Sequence, residues 1–71
     1  MRILLTGATG FVGSHCLEAL AEIKGVEVIA ACRDAGRVAP EFGGEIRVGD
    51  LRNKADVDRM LQDVDVVIHA A

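Results

Sequence analysis

Three glycines at intervals of three residues constrain this chain more than any other feature. Residues 6–13 read Thr-Gly-Ala-Thr-Gly-Phe-Val-Gly, between an apolar run and a segment of helical periodicity. Gly7 permits a sharp turn at a strand end, Gly10 the close approach of a pyrophosphate, and Gly13 tight packing of a helix on the strand. The helix that begins here offers free N–H groups and the positive end of its dipole to phosphates. The motif therefore predicts a strand–turn–helix unit with a phosphate site of the dinucleotide kind.

Strands and helices alternate along the rest of the chain. In the first helical segment an apolar stripe is formed by Val12, Cys16, Leu20 and Ile23, with Leu17 and Ala21 beside it. Asn53 is a candidate N-cap for the second helical segment. The predicted strands cover residues 2–6, 26–32, 45–48 and 63–69, the predicted helices cover residues 11–23 and 54–62, and residues 33–44 have room for one short helical turn.

This order of elements predicts the α/β class. Alternating strands and helices imply parallel strands joined by right-handed crossovers. Four strands with two or three helices make about half of a doubly wound fold. We expect half of a Rossmann-type doubly wound parallel sheet (β-α-β-α-β-α-β), truncated, in which residues 1–71 are the N-terminal part of the domain and no substrate domain is present.

Composition disfavours several classes of function. The net charge is −3, with no Trp or Tyr and two Phe, which argues against nucleic acid as a partner. No apolar run approaches the roughly 20 residues of a membrane span. Cys16 and Cys32 lack the spacing of a zinc or redox site, and we interpret both as small buried apolar residues. We expect a soluble, cytoplasmic protein without a metal.

Three segments, in order, resemble one family. Residues 6–15 are similar to the start of an extended short-chain dehydrogenase/reductase, the family of NAD(P)-dependent epimerases and dehydratases. Gly49-Asp50-Leu51 is similar to the family's step after its third strand, and residues 65–71 are similar to its fourth strand, one residue shorter. The resemblance runs through the whole chain and implies binding of NAD(P).

The resemblance also implies which residues contact the cofactor. Asp50 would accept a hydrogen bond from the adenine amino group while the N–H of Leu51 meets the ring, although Gly-Asp is also common turn chemistry. Ala70 and Ala71 would pass close to the ribose on the nicotinamide side, and their small size also fits simple packing. The implied cofactor-binding residues are Gly7, Thr9, Gly10, Phe11, Val12, Gly13, Arg33, Arg37, Asp50, Leu51, Ala70 and Ala71.

The end of the second strand bears on the choice between NAD and NADP. Cys32 stands where the family's ribose-binding acid would fall, and Arg33 and Arg37 follow it. A guanidinium pairs well with a 2′-phosphate, so NADP is favoured over NAD. The alternative is that Arg33 is a solvated loop charge and that Asp34 binds the ribose. We interpret His15 and His69 as structural.

The family's Tyr-x-x-x-Lys pair is missing, since the chain contains no tyrosine. We therefore expect no catalytic residue here, but the dinucleotide-binding portion of an epimerase, dehydratase or reductase whose substrate is a nucleotide sugar or another carbonyl or hydroxyl compound. Two alternatives remain: an NADP(H)-binding sensor or regulatory module, and a fragment that self-associates without ligand. The exposed sheet edge of such a fragment also predicts a homo-oligomer.

Overall fold

The computed structural model describes residues 1–70, in which a four-stranded parallel sheet is combined with two α-helices and one 3-10 helix. This confirms the predicted α/β class and the half-Rossmann sheet. Neither α-helix of the described residues has the length and apolar character needed to cross a membrane. The strands are β1 (Arg2–Thr6), β2 (Glu27–Cys32), β3 (Glu45–Val48) and β4 (Val66–His69), the helices are α1 (Phe11–Ala21) and α2 (Lys54–Met60), and the 3-10 helix is Ala35–Arg37.

The order of strands across the sheet is β3-β2-β1-β4. In the register, Ile3 of β1 lies opposite Val28 of β2 on one side and Val66 of β4 on the other. The chain therefore builds outward from β1 to β3 and then returns to the far side of β1. A crevice outside the carboxyl ends of the strands, where the strand order reverses, is the usual ligand site of such sheets.

The core has one layer on each face of the sheet. Strands β1 and β2 are buried on both faces, which is why their residues form nearly continuous apolar runs instead of alternating with polar ones. The layer that contains Leu17 of α1 consists of Leu5, Ala8, Leu17, Val28, Ala30 and Val38, and the layer that contains Met60 of α2 consists of Leu4, Ile29, Ala31 and Met60.

The apolar stripe of α1 differs from the predicted one. Gly13 and Leu17 face the core and are buried, whereas Val12 and Ile23 are 62% and 50% exposed. The other two residues of the predicted stripe, Cys16 and Leu20, pack against the core, and Cys16 is half-buried, as is Cys32, instead of fully buried. The reason is local, because α1 lies against the backbone of Gly7 on the side that carries Gly13. A glycine adds nothing to a hydrophobic pattern, so the pattern pointed to the neighbouring side of the helix.

Several element ends also differ from the prediction, by one residue at the start of β2 and by two at the end of α2. Helix α1 stops at Ala21, two residues early, and the chain reaches β2 through Gly25, which has a φ of +85°. Strand β4 begins at Val66 rather than at residue 63. The residue Asp63 has a φ of +57°, a left-handed conformation that belongs to a turn and not to a strand.

Candidate functional site

The glycine loop joins the carboxyl end of β1 to α1, and its backbone is folded back on itself. Gly7 has a φ of +67°, and its carbonyl accepts a hydrogen bond from the N–H of Gly10 at 3.0 Å. A Cβ on Gly13 would lie 1.8 Å from the Gly7 oxygen. No side chain can occupy that space, so Gly13 is required by the close approach of helix and strand.

Gly10 is exposed, and a Cβ on it would meet only the Gly7 oxygen, at an ordinary 3.5 Å. It is the N-cap of α1, no side chain caps the helix, and the first turn holds no acidic residue. The N–H groups of the first turn are thus open to an anion. Thr9 precedes Gly10 in the loop, and the side chains of Phe11 and Val12 are 83% and 62% exposed beside it.

A cavity of about 260 Å³ lies at the carboxyl ends of β2 and β3. Ala31 and Met60 are buried apolar residues of its wall, which also includes Arg33, Asp50 and Leu51. Three of the predicted cofactor residues therefore share one cavity. Its lining consists of Ala31, Cys32, Arg33, Gly49, Asp50, Leu51, Arg52 and Met60.

The carboxylate of Asp50 is held by Arg52. The Arg52 backbone N–H and Nε donate to Oδ1 at 2.9 and 3.1 Å, and Nη2 donates to Oδ2 at 3.0 Å. These hydrogen bonds, with the positive charges of Arg52 and Arg33, lower the pKa of Asp50 from 3.8 to about 2. Asp50 is therefore a charged, acceptor-only group at any physiological pH.

Arg33 and Arg37 make no ion pair within residues 1–70, and the same holds for Lys24 among the eight basic residues. Arg33 lines the cavity, whereas Arg37 ends the 3-10 helix and does not. The competing residue Asp34 uses its Oδ1 to accept the N–H of Gly36 at 3.0 Å, and so caps its own turn.

At the switch point between β1 and β4, Thr6 is 4% exposed, and its Oγ1 lies 2.6 Å from Nδ1 of His69. The N–H of Ala70 donates to the carbonyl of Thr6 at 3.3 Å, which brings Ala70 to this end of β1. Ala71 lies outside the described residues. His15 Nδ1 lies 2.7 Å from the carbonyl of Phe11, one turn earlier in the same helix.

Sequence reasoning missed Arg52 and the Thr6–His69 contact. Arg52 stands two residues after Asp50, and an aspartate in a turn often binds the N–H two positions on, so a signal for the pair was present. The Thr6–His69 pair joins strands 63 residues apart and becomes visible only with the strand order. Within residues 1–70, no three His, Cys, Asp or Glu side chains are placed to hold a metal ion.

The comparisons with known proteins agree with this geometry. A sequence model of the NAD dependent epimerase/dehydratase family matches residues 3–71. The chain belongs to this family. It is 35% identical over 83 residues to a UDP-glucose 4-epimerase of Klebsiella pneumoniae, in a match that covers 100% of the chain and 58% of that protein. The chain therefore spans less than two thirds of this family relative.

Two solved structures have a fold similar to that of this chain. A UDP-glucuronic acid 4-epimerase of Bacillus cereus in complex with NAD is 33% identical, with a TM-score of 0.74 over 100% of this chain and 27% of its own. A Rossmann-fold NAD(P)-binding family protein of Shigella flexneri has a TM-score of 0.90 over 99% of this chain and 36% of its own, at 22% identity, and so supports the fold alone.

Proposed function

We propose that this member of the epimerase/dehydratase family binds the ADP half of a nicotinamide dinucleotide along the carboxyl edge of its sheet. The single observation that carries the proposal is the glycine loop. Gly13 is pressed against Gly7, while Gly10 is exposed at the uncapped start of α1 and has room for a Cβ. A pyrophosphate on this loop leaves the adenosine to extend toward the ends of β2 and β3, where the cavity lies.

The residues of the cavity suit an adenosine. Its wall is apolar near Ala31 and Met60, Asp50 supplies an acceptor for the adenine amino group, and the N–H of Leu51 supplies a donor. At the other end of the site, Ala70 is small enough to admit the second ribose. We propose the same role for Ala71, which lies outside the described residues. When bound, the nicotinamide ring supplies a hydride donor or acceptor, and the role of this chain is to hold and orient the cofactor.

The two unpaired arginines after β2 favour NADP over NAD. Arg33 lines the cavity and Arg37 lies one turn further along the chain, so both guanidinium groups are free to meet a 2′-phosphate. The capping of Gly36 by Asp34 also turns one oxygen of the competing carboxylate away from a ribose.

The test is the affinity for NADPH and NADH of wild-type protein and two matched variants. Arg33→Ala is expected to weaken NADPH about tenfold, the weight of one charge-assisted hydrogen bond, and to leave NADH unchanged. Lys24→Ala is the control, since Lys24 is also unpaired but precedes the amino end of β2. Equal loss for both cofactors, or equal loss in both variants, would refute the NADP assignment.

The residues of this chain are proposed to bind and not to catalyse. The family's catalytic tyrosine has no counterpart among the 71 residues, which contain no tyrosine. Because relatives of this chain include UDP-glucose and UDP-glucuronic acid 4-epimerases, we propose a nucleotide sugar as the substrate class of the whole protein. We also propose that the 71-residue chain, expressed on its own, forms a homo-oligomer.

A further inference from the structure

Arg52 lines the adenosine cavity without a role in the proposed function. Three of its donors converge on the carboxylate of Asp50, although its own side chain is 80% exposed. Exposed ion pairs add little to stability. The main consequence of this pair is therefore the orientation of the Asp50 carboxylate, with only a small contribution to the stability of the fold.

The main chain of Asp50 is fixed from the other side. Its N–H donates to Asp56 Oδ2 at 2.9 Å, and the Asp56 N–H is itself bound by the side chain of Asn53 at 3.1 Å. Arg59 holds the second oxygen of Asp56 at 3.3 Å. Asp50 is thus anchored to the start of α2 through its backbone, which leaves Arg52 to set its side-chain direction.

The Asp50 carboxylate keeps one acceptor position that Arg52 does not occupy. A carboxylate has about four acceptor positions, two on each oxygen. Arg52 fills two on Oδ1 and one on Oδ2, so one position on Oδ2 is left. The N–H of Leu51, the next residue, donates to no backbone or side-chain acceptor within residues 1–70. Both Asp50 and Leu51 line the cavity, so one free acceptor position and one free donor belong to adjacent residues of its wall.

We propose that Arg52 is a positioning residue that presents Asp50 Oδ2 beside the Leu51 N–H, and so makes the cavity selective for a 6-aminopurine over a 6-oxopurine. This inference rests on the proposed function. Adenine offers a donor at its amino group and an acceptor at N1, which match the pair. Hypoxanthine offers an acceptor at O6 and a donor at N1, so each would face a like group, a mismatch that polar sites reject strongly.

The experiment measures dissociation constants for NADPH and for its hypoxanthine analogue, which differ only at the purine. Wild-type protein is expected to prefer NADPH. Arg52→Ala is expected to lower this preference about tenfold, equivalent to one hydrogen bond to a charged group, by weakening NADPH alone. Arg52→Lys keeps the positive charge but loses the planar, two-pronged guanidinium, and it is expected to behave like Arg52→Ala. Asp50→Asn removes the carboxylate, and its preference for NADPH over the hypoxanthine analogue gives the value expected when the purine is no longer recognised.

Arg33→Ala is the matched control, because it is expected to weaken both dinucleotides equally and leave the preference intact. Circular dichroism verifies that each variant is folded. An unchanged preference in Arg52→Ala and Arg52→Lys would overturn the role of Arg52 while leaving the proposed function standing. If wild-type protein binds neither dinucleotide, the proposed function fails and this inference fails with it.

Discussion

At the scale of single residues, Gly10 and Gly13 are glycines for different reasons. Gly13 is buried against the Gly7 carbonyl, where a Cβ would lie at 1.8 Å. Gly10 has a φ of −79°, which any residue can adopt, and has room for a Cβ within the chain. The fold therefore requires glycine at position 13 but not at position 10, where the proposed phosphate contact would account for the glycine.

This contrast predicts opposite behaviour of two variants. Gly10→Val is expected to keep the circular dichroism spectrum and to lose dinucleotide binding, because its side chain would occupy the phosphate site. Gly13→Val is expected to lose the folded spectrum or to unfold with about 1–3 kcal/mol less free energy, the cost of overpacking. NADPH titration and urea unfolding measure the two effects. Unchanged NADPH affinity in Gly10→Val would refute the assigned loop geometry.

A second residue-scale prediction concerns pH. Arg52 lowers the pKa of Asp50 from 3.8 to about 2. A lowered pKa means that the pair stabilises the fold above about pH 4, and that this contribution is lost as pH falls toward 2. Carbon-13 NMR of the Asp50 carboxyl should give a midpoint near 2, which rises in Arg52→Ala and stays in Lys54→Ala. A midpoint insensitive to Arg52→Ala would contradict the pairing.

The site was only partly predictable from single residues. Spacing alone identified Gly7, Gly10 and Gly13, because the backbone geometry they permit is local. The partner of Asp50 was not predicted, since an aspartate after a strand fits a free ligand, a turn or an ion pair equally well. Only the side-chain directions of Asp50 and Arg52 distinguish these.

At the scale of elements, Arg47 links β3 to the end of α2. Its Nη1 donates to the carbonyls of Met60 and Gln62, both at 2.7 Å, and its Nε donates to Glu45 at 2.6 Å. The Arg47 side chain is only 13% exposed. These bonds satisfy carbonyls that the end of a helix leaves without partners.

Loss of this link is expected to destabilise the fold. Arg47→Met keeps the apolar stem but leaves two carbonyls unpaired, at a cost of about 1–3 kcal/mol in the free energy of unfolding. Arg37→Met is the matched control, since Arg37 is exposed and has no ion pair within residues 1–70. Urea unfolding followed by circular dichroism measures both. Equal midpoints for Arg47→Met and wild type would show that the link contributes nothing.

Element order was predictable, and element ends were less so. Apolar runs located all four described strands, and the predicted cap Asn53 does bind the N–H of Asp56 at 3.1 Å. The start of β4 was misplaced because residues 63–65 are held by Arg2, whose Nε donates to the Asp63 carbonyl and whose N–H donates to Asp65. Such a contact joins distant segments and leaves no local signal.

At the scale of the whole molecule, β4 leaves an apolar edge. It is an outer strand of the four-stranded sheet, and Val66 and Val67 are 40% and 46% exposed. An apolar groove beside it is lined by exposed Leu51 and Leu61. Unpaired strand edges of this kind favour pairing with another chain.

The 71-residue chain, expressed on its own, is therefore expected to form a dimer or a larger assembly. Light scattering should give at least twice the monomer mass of 7.5 kDa. Val67→Lys should shift the protein toward monomer, since a charge on an edge strand opposes pairing, while Ala19→Lys on the exposed side of α1 should not. A stable, folded wild-type monomer would contradict the homo-oligomer.

The measurement that tests the central claim most directly is an amide NMR titration with NADPH. Dinucleotide binding at the carboxyl edge predicts the largest shift changes at residues 7–13 of the glycine loop, at Arg33 and at Leu51. It predicts little change at Gly25 and Asp65, which lie at the amino ends of β2 and β4. Shift changes centred on the amino ends of the strands, or no shift changes at saturating NADPH, would contradict the claim.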